Sequence, residues 1–271
     1  MDRRPIGVFD SGLGGLTAVR ELARLMPEED LVYFGDTGRV PYGGRSRDTI
    51  VKYARQDVRF LRSFDPKAIV IACGTVSTTA LDVLRRENDI PVFGVVEPAV
   101  HTAAELTRSG RVGLIGTKAT IRSGAYEREL RRLRPDARVT AEACPLFVPL
   151  VENGRFQPGD IVAETVAAEY LAPIKGEDVD TLILGCTHYP LLKTVIGRYM
   201  GDEVRLVDVG QRCAHWVAAE LDRQGLRTDR AEAGTHRYFV SDSTEDFAGL
   251  ASTFMKEEVS DEVEKIDITL Y

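Results

Sequence analysis

Cysteine is scarce in this chain of 271 residues: there are four, at positions 73, 144, 186 and 213. They are too few and too scattered for a disulfide framework. None stands in the Cys-x-x-Cys pairing that marks structural zinc or a thioredoxin-type redox centre. Free thiols in a reducing, cytoplasmic compartment are therefore expected. Long hydrophobic runs are missing too, since no stretch reaches the roughly 18 uncharged apolar residues of a membrane span. The opening Met1-Asp2-Arg3-Arg4-Pro5 leads straight into a strand-like segment, so no leader peptide is expected. Positive charge is in deficit, with 35 Lys and Arg against 42 Asp and Glu and a net charge of −7. The densest basic run, Arg128 to Arg134, has helical spacing and contains Glu129. Such a chain is a poor binder of phosphate backbones, and no nucleic-acid or membrane partner is expected. Gly12-Leu-Gly14-Gly15 fits neither phosphate-loop spacing, because no Lys-Ser/Thr follows and the third Rossmann glycine is absent.

What is present is a globular composition, 44% hydrophobic and 28% charged. That excludes a disordered, collagen-like or coiled-coil chain, and the length suits about two domains. Short β-branched runs alternate with stretches of helical period. Ile6 to Asp10, Leu31 to Phe34, Ala68 to Ala72 and Pro91 to Val96 read as strands, as do Val112 to Ile115, Thr181 to Leu184 and Val204 to Val207. Helices are expected over Leu13 to Met26 and Ser77 to Arg86. Strands that are apolar throughout suit a sheet buried on both faces, and with helices between them that means parallel α/β architecture.

A weak internal echo runs through the chain. Val8-Phe-Asp-Ser11 is matched by Leu114-Ile-Gly-Thr117, and Ile71-Ala-Cys-Gly-Thr75 by Leu184-Gly-Cys-Thr-His188. The chain thus reads as two similar α/β halves. In open α/β sheets ligands bind beyond the carboxyl ends of the strands. Asp10-Ser11, Asp36-Thr37, Cys73-Gly74-Thr75, Thr117 and Cys186-Thr187-His188 all fall at such ends. Hydroxyls and exposed N–H groups at helix starts suit a carboxylate. If the halves face one another, Cys73 and Cys186 approach one ligand from opposite sides, which suggests proton transfer on both faces of a carbon.

Each of these residues has a plainer reading. A cysteine at a strand end is usually a small core hydrophobe; the matched contexts of Cys73 and Cys186 weigh against that. Cys144 and Cys213 lack the motif and read as structural. Asp10 serves equally as a helix cap or as an acceptor near a ligand ammonium or a catalytic thiol. His188 is either a satisfied surface histidine or the orienter of Cys186. His101 and His236 read as structural, Cys213-Ala-His215 as a helix segment without metal-site geometry, and Asp30, Glu105 and Glu127 as solvated faces. A cysteine-nucleophile hydrolase built on Cys186 and His188 competes, but it leaves Cys73 unexplained and lacks an evident acidic orienter.

Phe9-Asp-Ser-Gly-Leu-Gly-Gly15, Tyr33-Phe-Gly-Asp-Thr37, Val40-Pro-Tyr-Gly43, Ala72-Cys-Gly-Thr75, Leu184-Gly-Cys-Thr-His-Tyr-Pro-Leu-Leu192 and Tyr238-Phe-Val-Ser241 stand in an order that resembles the glutamate racemases of the aspartate/glutamate racemase superfamily. The resemblance covers nearly the whole chain. It implies two α/β domains related by pseudo-two-fold symmetry, residues 1–97 plus 208–271 and residues 98–207, with the active site between them. It implies cofactor-independent interconversion of L- and D-glutamate, with Cys73 and Cys186 as the two bases. Asp10 would assist the first and His188 the second, with Glu152 in support. Substrate contacts carry over to Asp10, Ser11, Tyr42, Gly43, Gly74, Thr75, Thr117, Thr187 and His188; no metal is implied. It further implies a cytoplasmic homodimer supplying D-glutamate for peptidoglycan, and so for cell-wall biogenesis and cell shape. Most relatives of this kind carry Asn after the first cysteine, where this chain has Gly74, so a side-chain amide is missing. A racemase of a related acid such as aspartate, or a silent ligand-binding homologue, are the alternatives.

Overall fold

The computed structural model describes residues 1–256 and 263–271. The first part of the chain runs β1 (Ile6–Asp10), α1 (Leu16–Leu25), β2 (Leu31–Gly35), a short 3-10 turn (Tyr42–Gly44), α2 (Arg47–Arg62), β3 (Ala68–Ile71), α3 (Gly74–Thr79), α4 (Leu81–Glu87), β4 (Val92–Gly94) and α5 (Val96–Leu106). Next come β5 (Arg111–Gly116), α6 (Lys118–Ser123), α7 (Ala125–Leu133), β6 (Arg138–Ala143), α8 (Phe147–Glu152) and α9 (Ile161–Lys175). These are followed by β7 (Thr181–Leu184), a 3-10 turn (Tyr189–Leu192), α10 (Lys193–Met200), β8 (Arg205–Asp208) and α11 (Val209–Gln224). The chain returns with β9 (His236–Val240), α12 (Thr244–Met255) and β10 (Val263–Lys265).

Two sheets result, and every strand pair in them is parallel. One has the order β10-β9-β2-β1-β3-β4, the other β6-β5-β7-β8. The four strands β2-β1-β3-β4 of the first sheet and all four of the second share one topology, 2-1-3-4 against 6-5-7-8. β1 therefore corresponds to β5, and β3 to β7. The echo noticed in the sequence is a topological one: Cys73 follows β3 and Cys186 follows β7.

The uniformly apolar strands are buried on both faces, as in β1, β3 and β7. In β1 and β3 the side chains alternate between two cores. Ile6, Val8, Ala68 and Val70 join a large cluster that runs on into Leu114, Leu182 and Leu184 of the second sheet. Phe9, Ile69 and Ile71 face a smaller cluster under α2 and α4. Each fully buried aliphatic side chain contributes about 1.5–3 kcal/mol, so the shared cluster is a large term holding the halves together.

Three elements differ from the sequence expectation. The helix expected over Ser77 to Arg86 begins earlier, at Gly74, and breaks at Ala80, whose φ/ψ of −120°/−13° ends α3 and opens α4. β6 went unread because its residues are only half-buried or exposed, so no apolar run marks it. Asp30 is no solvated charge: it holds Arg230 at 2.7 and 2.9 Å and accepts from the N–H and hydroxyl of Thr235, pinning the chain that leads into β9.

Candidate active site

The carboxyl ends of both sheets converge on one cavity of about 390 Å³. The first half supplies Ser11 and Gly12 after β1, the turn Val40 to Gly44, and Cys73 to Thr75 after β3. The second supplies Thr117 and Lys118 after β5, Cys144 and Pro145 after β6, parts of α8 including Glu152, and Cys186 to His188 after β7. Both thiols singled out from the sequence therefore face the same space, and both are nearly buried, at 4% and 7% exposure.

Cys73 is the residue that caps α3, in extended conformation. Its Sγ donates to Ser11 Oγ at 3.3 Å. Burial and the nearby Asp10 push the thiol up to about 12, against the pull of the Ser11 hydroxyl and the N–H groups of Val76 and Ser11. Asp10 does not line the cavity; it lies behind Ser11 and Gly12, buried. One of its oxygens accepts from the Gly12 N–H at 3.0 Å, and the other has no hydrogen-bond partner of normal geometry. Burial raises the Asp10 carboxyl above its ordinary range, while the His188 charge and the N–H groups of Gly15, Gly12 and Ser11 oppose the rise. Asp10 is thus neither the cap of α1, which is Gly15, nor a direct wall of the cavity.

The surroundings of Cys186 are different in kind. His188 Nδ1 stands 4.0 Å from Cys186 Sγ, at the long end of sulfur contacts, and Nε2 meets Glu152 Oε1 at 3.0 Å. The imidazole is buried, not a surface group, and its edge packs on Phe254 at 5.3 Å. Burial alone would lower its basicity. Contact with Cys186 and Glu152 outweighs that and raises His188 to about 10. Glu152 supplies the acidic orienter that the sequence did not reveal.

Tyr42 faces away from the cavity with its hydroxyl. That hydroxyl donates to Asp36 and, at 3.3 Å, to Asp57. Arg39 binds both carboxylates and Gln56, and Ser241 donates to Asp36 at 2.7 Å. Asp36, placed at the ligand side from its strand end, is instead the buried hub of this network and is absent from the cavity wall. The network anchors the turn Tyr42–Gly44 from below. What the turn offers to a ligand is backbone, because the leading N–H groups of a helical turn have no partner within it.

The halves meet through backbone at three glycines. A Cβ on Gly14 would overlap Thr187 Oγ1 and His188 Nδ1, and one on Gly43 would come within 2.9 Å of Thr117 Cβ. A Cβ on Gly74 would overlap the carbonyl oxygen of Gly185. The missing amide at position 74 thus has a physical cause here: the space belongs to the opposite half. Beside this seam the hydroxyls of Thr75 and Thr117 lie 3.0 Å apart, and Thr17 Oγ1 donates to the Thr187 carbonyl at 3.1 Å. Among the cavity residues that the sequence reading passed over, one carries chemistry of note. Cys144 is buried in the wall and follows β6, the counterpart of the β2 end that carries Asp36. Only strand correspondence could have found it. Cys213 is packed inside, donating to the Gly94 carbonyl at 3.7 Å, and the His101 ring lies tilted against Trp216, centroids 5.1 Å apart. Among the described residues, no three His, Cys, Asp or Glu side chains gather as a metal site, and no helix is long and apolar enough to cross a membrane.

Comparison with known proteins gives a consistent result. The Asp/Glu/Hydantoin racemase family matches residues 15–216. A glutamate racemase of Geobacter metallireducens is 47% identical over 261 residues, 96% of each chain. The crystal structure of a Francisella tularensis glutamate racemase in complex with D-glutamate superposes with a TM-score of 0.92 at 37% identity, covering 100% of both chains. That of a Bacillus anthracis glutamate racemase isoform gives 0.93 at 35% identity over 98% of each.

Proposed function

The chain belongs to the Asp/Glu/Hydantoin racemase family and is an amino-acid racemase; from that premise we propose that it interconverts L- and D-glutamate, with Cys73 and Cys186 as the two proton carriers. The observation that carries this reading is the presence of both thiols, from corresponding strand ends, in one cavity.

Racemisation removes the α-proton from one face and returns a proton to the other. A thiolate on one side takes the proton while a thiol on the other gives one up, so the protein ends each turnover with its two protonation states exchanged. Charge develops on the substrate carboxylate as the C–H bond breaks. In this reading the hydroxyls of Thr75, Thr117 and Thr187 and the N–H groups of the Tyr42–Gly44 turn bind that charge more tightly in the transition state than in the ground state. Protonated His188 beside Cys186 offers a cation to a thiolate. Glu152 keeps the ring in position. Asp10, behind Cys73, is a positioning group for the Ser11–Gly12 turn that touches the first thiol.

Cys186, His188 and Glu152 also form the order of groups found in cysteine-nucleophile hydrolases. Cys73 argues against that reading, because a hydrolase has no task for a second thiol across the cavity. The wider role, supply of D-glutamate for peptidoglycan by a cytoplasmic homodimer, rests on the family alone.

Circular dichroism of each glutamate enantiomer incubated with the protein tests the proposal, with both aspartate enantiomers in parallel. We expect the glutamate signal to decay to zero from both sides while aspartate persists. Decay of aspartate alone would move the substrate assignment to that acid. No decay of any of the four would remove the racemase reading.

A further inference from the structure

Two carboxyl groups, Asp36 and Asp57, stand at the centre of the network beneath the Tyr42–Gly44 turn, and the chemistry proposed above uses neither. Both are fully shielded from water. One cation faces the pair: Arg39 reaches Asp36 through Nε at 2.6 Å and Asp57 through a terminal nitrogen at 3.0 Å. Its other terminal nitrogen donates to Gln56 Oε1 at 2.6 Å, and the guanidinium lies over the Tyr53 ring at 4.1 Å. With both carboxyls ionised, the buried cluster would hold a negative charge without a counter-ion, which is costly. One proton on the pair removes that cost.

The hydrogen bonds say which carboxyl carries it. Asp36 accepts from Arg39, Tyr42 and Ser241, three donors, as suits a carboxylate. Asp57 has Arg39 on one oxygen and only the Tyr42 hydroxyl, at 3.3 Å, near the other. That hydroxyl faces both carboxyls with one proton to give, and Asp36 is the nearer. Its oxygen is left to accept, and a protonated Asp57 has the hydrogen to offer. Burial, with the Asp36 charge beside it, pushes Asp57 well above the carboxylate range, against the pull of Arg39 and Tyr42.

We propose that Asp57 is a positioning residue for racemisation, a neutral carboxylic acid whose hydrogen bond to Tyr42 sets where the Tyr42–Gly44 turn presents its N–H groups to the substrate. The positioning role rests on the racemase reading; the protonated carboxyl does not. The path to the cavity is short. Arg39 and Tyr42 bracket Val40 and Pro41, and residues 40–44 form one stretch of the cavity wall. Asp36 and Asp57 hold that stretch from behind, through Arg39 before it and Tyr42 within it. Gly43 abuts Thr117 of the opposite half, so a turn released at Tyr42 also loosens the seam. N–H groups that bind charge more tightly as it develops cost turnover, more than substrate affinity, when they are displaced.

Infrared difference spectra of the full-length protein at neutral pH, wild type against Asp57→Asn, test the proton. We expect the wild type to show the C=O stretch of a protonated carboxyl that the variant lacks. Steady-state kinetics with both glutamate enantiomers test the position. Asn offers Arg39 an oxygen and Tyr42 an N–H, so Asp57→Asn should keep kcat within about twofold of wild type. Asp57→Ala, and Tyr42→Phe with the backbone of the turn retained, should each lower kcat at least about tenfold while KM changes by less than about twofold. Absence of the infrared band would overturn the neutral acid, as would a kcat loss of about tenfold or more in Asp57→Asn. Folded variants with a lowered Tm and an unchanged kcat would mark a merely structural group and overturn the positioning role. Should Asp57→Ala fail to fold, Tyr42→Phe and Asp57→Asn still decide. A wild type inactive on both glutamate enantiomers would strike the racemase reading and the positioning role with it, leaving the infrared band to judge the proton.

Discussion

Cys73 and Cys186 end corresponding strands of two sheets with the same topology, yet their neighbourhoods differ in charge. Cys73 has a hydroxyl, two N–H groups and, behind them, the Asp10 carboxyl, and its thiol is pushed up to about 12. Cys186 has an imidazole held by Glu152 and raised to about 10. At neutral pH the first sulfur keeps its proton, while the second faces a cation. A two-base racemase needs one acid and one base at any moment, and the two sulfurs stand in surroundings of opposite charge. What the two halves share by topology is the position of the sulfur. What they do not share is the means of setting its protonation.

The largest effect expected from disturbing this comparison comes from removing either sulfur. Cys73→Ala and Cys186→Ala are each expected to lose racemisation by at least about a thousandfold, read as decay of circular dichroism, with the fold retained. Near-normal turnover in either variant would end the two-base assignment.

A smaller loss, about a hundredfold, is expected for His188→Asn. The sharper readout is alkylation by iodoacetamide followed by mass spectrometry. In the wild type Cys186 should react before Cys73. His188→Asn should slow Cys186 and leave Cys73 unchanged, while Asp10→Asn should speed Cys73. His188 also sets a pH dependence of stability. Its value rises from 6.5 to about 10 on folding, so between those values the native state holds a proton that the unfolded chain has released. Stability is full below about pH 6.5 and falls as pH rises toward 10. The wild-type Tm should decline across that window, and the decline should flatten in His188→Asn. Equal slopes would show that the imidazole is not held charged.

The smallest effect concerns the seam between the halves. Gly74→Ala places a Cβ against the Gly185 carbonyl. We expect a cost of about 1–3 kcal/mol, seen as a Tm lowered by several degrees. An unchanged Tm would mean that the halves yield at this contact.

Much of this architecture was legible in the sequence because its signal is burial. β1, β3 and β7 lie under helices on both faces and read as unbroken apolar runs. β6 lies at the edge of the second sheet, and its Arg138-Val-Thr-Ala-Glu-Ala143 carries no such run. The break at Ala80 leaves the apolar period of α3 and α4 nearly in phase, so only backbone geometry reveals it. The thiols were found by their repeated Cys and Thr context. The Glu152–His188 contact, spanning two elements far apart in the chain, has no local signature, and Glu152 entered only through family resemblance. Asp36 was misplaced for a related reason: a strand end predicts where a residue stands, and its partners decide which way it turns.

The glycine seam has a mechanical consequence. A contact made of side chains has slack, since rotamers can hop and a neighbour can yield. At Gly74 and Gly185 the parts in contact are main chain, and at Gly14 and Gly43 main chain meets short, stiff threonines. The gap between the two sulfurs is therefore toleranced like a machined gauge rather than an adjustable jaw: it changes only when one sheet moves as a body against the other. The α-carbon of any substrate has to fit that gap as it stands, and recutting the cavity wall one residue at a time would not alter it.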